Sequence, residues 1–257
     1  MADASTPVDA SGAEIGPIVM LAYDGIAADE ASVLVDVLSA ARLDVIIASV
    51  QAKPVTSYNG RVVPSRRAID IGRCSALIVP GGLGVASTAQ DAGVLGAIVQ
   101  LASQSRWLGA TSTGSVLLAA AGVIDGARVT THWLAGEMIT DRGLELADET
   151  YVEWGRLLTA AGIVGTATLA FRIVGALLGA ETEKRIRDQF VPPETSRDRR
   201  YDRESRSWWR ALLDTIGGGR LVRSGKRVVD EEFLLSTIDP AGQADVIVLD
   251  LFDHDDA

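Results

Sequence analysis

The sequence predicts an α/β protein with a doubly wound, mostly parallel sheet between helices, and three observations lead there. Short apolar runs recur without alternation, IVMLAY at 18–23 and ALIVP at 76–80 among them, and such runs suit strands buried on both faces. Segments with helical apolar spacing stand between these runs, so strand and helix alternate along the chain. The 257 residues are 47% hydrophobic and 23% charged, a composition that supports a packed core.

A chain of this length holds one large domain or a domain with an appendage, and the change of character along it favours the second. Residues 1–16 (MADASTPVDASGAEIG) are small and acidic, lack the basic and apolar regions of a secretion signal, and predict a flexible tail. Residues 17–190 carry the strand and helix alternation. Residues 191–257 form a C-terminal α+β extension ending in an acidic tail.

The elements follow in order. The first strand, 18–23, leads to a helix over Asp29–Arg42, and LDVIIASV (43–50) is the second strand. Asn59-Gly60, preceded by Tyr58, signals a tight turn and hence an inserted hairpin. ALIVP ends in a Gly-Gly turn, a helix spans Asp91–Ser105, and Trp107–Thr111 is a further strand. Ser112 lies where that strand meets the apolar helix STGSVLLAAAG. A strand (ARVTTHW, 127–133), a helix, a hairpin-like pair around Gly155 and a long helix over 165–179 complete the domain.

From Glu181 to Arg206, arginines and acids are densely mixed. That stretch reads as a linker or solvated helix, with a basic anion-binding face as the sharper alternative. Trp208-Trp209 fall on an amphipathic helix expected to dock on the main domain or a second subunit. A hairpin signal at Ser224-Gly225, a short helix near Glu231 and the strand ADVIVLDLF close the extension.

The formal charge of −10 repels phosphate backbones and anionic membranes, so neither nucleic acid nor membrane is expected as a partner. No apolar run approaches the roughly 20 residues that span a bilayer. A cytoplasmic protein acting on a small-molecule substrate is the expectation. Cys74 is the single cysteine, which excludes an intrachain disulfide; with His132 and His254 the only histidines, no metal site is expected. No cofactor is expected either.

Ser112 sits at a strand-to-helix corner, the arrangement that presents a side chain at the carboxyl edge of a sheet beside the free N–H groups of a helix start. Taken alone, it reads equally as a helix-capping serine. Gly81 and Gly82 end the neighbouring strand, where backbone can approach a ligand closely, and with the N–H of Thr113 they are candidate oxyanion donors. His132, next to Trp133, ends a strand at the same edge, although a lone histidine beside a tryptophan is more often structural. Asp29 and Glu30 open the first helix; they compensate its dipole, or, if buried beside Ser112, one of them has a raised pKa and donates protons.

ATSTGSVLLAAAGVIDGARVTTHW resembles the isonitrile hydratase-like branch of the ThiJ/PfpI (class I glutamine amidotransferase-like) superfamily and the ligand domains of its AraC-type regulator relatives. AYDGIAADEASVLVDVL, IVPGGLG and GRLLTAAGIVGTATLA match in order and spacing, so the resemblance covers about 17–190. It implies a flavodoxin-like sandwich and a homodimer. By position it places Ser112 at a nucleophilic cysteine, Glu30 at the acid facing the elbow, Gly82 and Thr113 at the oxyanion amides, and His132 at the branch histidine.

Two departures stand out: the cysteine is absent, and Ser32, Val33 and Leu34 replace the usual Gly-Pro after the acid. A thiolate is available near neutral pH, whereas a serine hydroxyl needs a neighbouring base. Three roles stay open for Ser112: nucleophile, ligand-binding hydroxyl, or replacement of a cysteine. The resemblance implies hydratase or lyase-type addition chemistry, isonitrile hydration if a cysteine was replaced. The alternatives are a catalytically silent small-molecule sensor and a serine-nucleophile hydrolase or cyclase. No helix-turn-helix is recognisable after residue 190.

Overall fold

The computed structural model describes residues 14–67 and 71–190. β1 (Ile18–Leu21) is buried along its whole length, as an uninterrupted Ile-Val-Met-Leu run requires when both faces of a sheet are covered. α1 (Ala28–Ala40), β2 (Val45–Ser49), a hairpin of β3 (Val55–Thr56) and β4 (Val62–Val63), and β5 (Arg66–Arg67) follow. Next come β6 (Cys74–Val79), α2 (Val85–Thr88), α3 (Ala92–Gln104), β7 (Ser105–Thr111) and α4 (Gly114–Ala120). The last elements are β8 (Arg128–Val129), a 3-10 turn (Trp133–Ala135), α5 (Gly136–Thr140), β9 (Glu145–Leu146), β10 (Tyr151–Trp154), β11 (Leu157–Ala160), α6 (Gly162–Leu178) and α7 (Ala180–Phe190).

Among the described residues the main sheet runs β10-β11-β7-β6-β1-β2-β5. All neighbours in it are parallel except β10, which returns antiparallel on β11 around Gly155. The chain winds outward from β1 to β2, then crosses back to β6 on the other side. Winding therefore reverses between β1 and β6, and in open α/β sheets a crevice opens at the carboxyl ends of the strands at that point. The loops after β1 and β6 meet there, with the loop after β7 beside them.

Alternation along the strands sorts side chains into two layers. Val19, Leu21, Leu77, Val79, Leu108 and Ala110 pack with Ile98, Leu101 and Leu117 on one face. Ile18, Met20, Ala76 and Ile78 pack with Leu34 and Leu38 of α1, Phe171 of α6 and Ile186 of α7 on the other. The sheet thus lies between helices on both sides, as the sequence predicts.

Several expectations need correction. The segment 127–133 is a strand only over Arg128–Val129, because His132 caps the 3-10 turn that follows. The stretch after Glu181 begins as the solvated helix and not the linker, mostly exposed but with Glu183 and Ile186 buried. Within the expected tail, Ile15 is buried. Residues 191–257, with the expected extension, its tryptophans and its anion-binding face, lie outside the described residues.

Candidate active site

Ser112 has a backbone φ of 51°, the left-handed region that L-residues enter at a cost of about 1–2 kcal/mol. Such strain persists only where surrounding contacts over-determine it. Here its N–H donates to Ala160 O at 2.7 Å. Its carbonyl accepts from Thr131 Oγ1 at 3.0 Å and from Ser115 Oγ at 3.2 Å. β11, the loop after β8, and α4 thus each hold one side of the corner. Thr113, not Ser112, occupies the cap position of α4, so the hydroxyl of Ser112 is not spent on capping.

Gly81 and Gly82 make the corner possible from the β6 side. A Cβ on Gly81 would stand 2.7 Å from Ser112 Cβ and 2.8 Å from Thr113 N. Gly82 has φ +150°, and a Cβ there would run into the Gly25 carbonyl. Ala27 N donates to Gly81 O at 2.8 Å, joining this loop to the start of α1, which carries Glu30. The Gly82 N–H donates to Thr113 Oγ1 at 3.0 Å, and that hydroxyl in turn donates to Gly82 O at 3.1 Å. One expected oxyanion amide therefore holds a resident acceptor, which a ligand oxygen must displace.

Glu30, in the first turn of α1, is buried with 7% of its surface exposed. Thr111 Oγ1 donates to its Oε2 at 2.6 Å. Burial holds the Glu30 carboxyl above its ordinary range and the adjacent charge of Asp29 adds to that, while hydrogen bonds from Thr111 and Ser112 pull the other way. A carboxyl in this setting keeps its proton to higher pH than an exposed one and is suited to donating it.

The hairpin β3–β4 forms the rim. Gly25 N donates to Thr56 O at 2.7 Å and Tyr58 N to Ile26 O at 3.1 Å, and Thr56 N donates to Asp24 Oδ1 at 2.8 Å. These bonds bring Tyr58 OH to Asp29 Oδ2 at 3.2 Å, so Asp29 is an exposed rim residue. Tyr23, at the end of β1, donates to Pro80 O at 2.9 Å; burial first and the Glu30 charge second push its phenol up.

His132 is half-buried, and its Nδ1 accepts from Leu134 N at 3.3 Å. That bond leaves the ring a proton on Nε2 in its neutral form. The structure does not bring it into hydrogen-bond contact with Ser112 or Glu30; Thr131, one residue earlier, makes the contact to Ser112 instead. Trp133 lies 5.7 Å from the His132 ring, centroid to centroid, and is 72% exposed.

Thr111, Thr131, Tyr23 and Tyr58 are site residues that sequence reasoning missed. Thr111 alone had a local signal, its place immediately before the corner. Cys74 begins β6, whereas the site lies past its far end, roughly 20 Å away at a strand's rise per residue. Burial also pushes its thiol up to about 11, so it does not stand in for a nucleophile at the corner.

The loops 80–90, 112–115, 130–136 and 160–166 contain no Lys or Arg. The loop after β1 contributes Asp24, and the first turn of α1 contributes Asp29 and Glu30. These loops offer hydroxyls, amides and carboxyls to a ligand, with no ammonium or guanidinium to hold an anion. Among the described residues no group of three or more His, Cys, Asp or Glu is placed to hold a metal ion, and no helix is long and apolar enough to cross a membrane.

Comparison with known proteins adds to this geometry. The DJ-1/PfpI family model matches residues 17–176. The chain is 32% identical over 137 residues to an isonitrile hydratase of Pseudomonas putida, covering 53% of this chain and 60% of that protein, less than two thirds of its length. It is 31% identical over 160 residues to the glutathione-independent glyoxalase DJR-1.2 of Caenorhabditis elegans, covering 60% of this chain and 85% of that protein. The crystal structure of a ThiJ/PfpI family protein from Pseudomonas syringae superposes with a TM-score of 0.66 at 19% identity, over 84% of this chain and 93% of that one.

Proposed function

This chain belongs to the DJ-1/PfpI family, and on that footing we propose that it catalyses cofactor-independent addition of water to a small neutral electrophile, with an isocyanide as the specific substrate class. The curated relatives named above are enzymes. One observation carries the reading: a buried carboxyl with a raised pKa, Glu30, hydrogen-bonded to Thr111, the residue before the strained Ser112.

In the proposed sequence, Ser112 Oγ bonds to the terminal carbon of the isocyanide while Glu30, in its acid form, protonates that carbon. The hydroxyl proton of Ser112 passes to Glu30, and a formimidate ester of Ser112 results. Water then adds to the formimidate carbon, the bond to Ser112 Oγ breaks, and the N-substituted formamide leaves with both protons of the water accounted for, one on nitrogen and one returned to Oγ. The absence of Lys and Arg from residues 80–90, 112–115, 130–136 and 160–166 supports a neutral substrate, Arg61 on the hairpin rim being the nearby cation. A serine is a poorer nucleophile than the cysteine the family resemblance implies, and Glu30 is the group available to activate it. We also propose that the protein works as a homodimer in the cytoplasm, with residues 191–257 as a separate C-terminal extension.

The test is turnover of a small isocyanide followed by loss of its infrared stretch, for the parent and for Ser112→Cys. Formamide production by the parent, abolished in Ser112→Ala and increased in Ser112→Cys, is the expected result. Stoichiometric binding without consumption in both the parent and Ser112→Cys would replace this reading with a ligand sensor.

A further inference from the structure

We propose that Thr111 is a positioning residue for Glu30: its hydroxyl fixes Oε2 as an acceptor and so leaves Oε1 to carry the proton toward a ligand at Ser112. The inference rests on the reading of Glu30 as proton shuttle and deepens it.

The geometry comes from the register of β7. Leu108 and Ala110 point into the layer under α3 and α4. Trp107 packs in the opposite layer, and Gly109 sits against Ile78 and Leu169 there. By alternation Thr111 faces the same way, toward α1, and across 81 residues of sequence it meets Glu30 at 2.6 Å. That separation is within the range of charge-assisted O–H···O⁻ bonds. Thr111 is fully buried, its backbone is paired with Ala160, and a β-branched side chain is stiff about χ1. The donor is therefore aimed before any ligand arrives.

A carboxyl that accepts at Oε2 keeps that oxygen carbonyl-like when it is protonated, and the acid proton resides on Oε1. Without Thr111 either oxygen can carry it. No neighbour offers the same service. Asp29, on the same helix, is an acceptor taken up by Tyr58. Tyr23, at the end of β1, gives its proton to Pro80 O, and the hydroxyl of Tyr58, on the hairpin, is spent on Asp29. The opening turns of α6, GIVGTATL, which pack along α1, hold no titratable group. The Ser112 hydroxyl acts on the Glu30 carboxyl more weakly than Thr111 does, and in the proposed reaction its oxygen becomes the attacking atom.

The experiment is a carboxyl carbon NMR titration of Glu30 in the full chain, assigned by the signal lost in Glu30→Gln, for the parent, Thr111→Val and Thr111→Ser. Thr111→Val keeps shape and loses the donor, and its Glu30 midpoint is expected to rise by about one pH unit. Thr111→Ser keeps the donor and is expected to stay close to the parent, whether or not the valine variant folds. In turnover, Thr111→Val should lower kcat with KM unchanged and shift the pH profile with the midpoint. An unmoved midpoint in Thr111→Val, or a serine variant displaced as far as the valine one, overturns the proposal. A moved midpoint with no isocyanide turnover in any variant upholds the orienting bond and removes the hydratase reading instead.

Discussion

Gly82 and Thr113 hold each other through both polar groups of the glycine, its N–H donating to Thr113 Oγ1 at 3.0 Å and its carbonyl accepting from the same hydroxyl at 3.1 Å. This pair locks the loop after β6 to the start of α4. Thr113→Val removes both bonds while keeping shape, and is expected to lower stability by about 1–2 kcal/mol, read from the urea midpoint. An unchanged midpoint would mean the loop is held by packing alone.

Glu30 sets a pH dependence whose sign follows from its environment. Its pKa in the folded protein is raised above 4.5, chiefly by burial, so the folded chain binds this proton more tightly than the unfolded chain does. The associated stability is fully present below the unfolded value and is lost as pH rises through the folded one. Glu30→Gln should therefore melt higher than the parent at pH 7 and lose that advantage below the ordinary carboxylate range, while turnover disappears. A variant less stable than the parent at neutral pH contradicts this.

The same shift predicts the catalytic profile. In the proposed reaction the acid form of Glu30 donates the first proton, so kcat/KM should fall as pH rises through its folded-state pKa. A profile that shows no fall above the ordinary carboxylate range, or that rises with pH, would assign the titrating role elsewhere.

The strain at Ser112 is measurable without any substrate. Ser112→Ala retains a Cβ in the left-handed region at φ 51°, whereas Ser112→Gly does not. The glycine variant is expected to be more stable than the alanine variant by about 1 kcal/mol in chemical denaturation. Equal stabilities would show that the corner relaxes when the hydroxyl is gone.

Gly175 lies in the interior of α6, where replacement by alanine ordinarily stabilises a helix by about 1 kcal/mol. Here a Cβ would stand 3.2 Å from Glu183 Cβ and press on the Glu183 carboxylate. That carboxylate binds Arg172 at 3.1 Å and Arg187 at 2.9 Å, joining α6 to α7. Gly175→Ala is expected to lower the melting temperature, reversing the usual sign.

The fold is legible wherever one residue type dominates a segment. Ile18–Leu21 and Cys74–Val79 are strands because both sheet faces are covered, and Ser75 alone interrupts their apolar runs. β5 is illegible for the opposite reason, since Arg66–Arg67 resembles a solvated loop and is a strand only because β2 offers it an edge. Thr130 and Thr131 match strand propensity, yet one gives its N–H to Thr159 Oγ1 and the other its hydroxyl to the Ser112 carbonyl, which ends the ladder. At the site, Ser112, Glu30 and the glycine pair could be located from motifs. The bond between Thr111 and Glu30 could not, because no local pattern reports a contact across 81 residues.

Ser112 takes its N–H partner from Ala160 and a carbonyl partner from Thr131, both later in the chain. A ribosome that has released only the first 150 residues has already delivered Glu30, Gly81, Gly82, Ser112, Thr113 and even Thr131, but not the Ala160 carbonyl that holds the serine N–H in its unfavourable turn. The corner is therefore completed only when β11 joins β7, and a chain truncated before β11 keeps the site's residues but lacks the Ala160 bond that holds the Ser112 N–H.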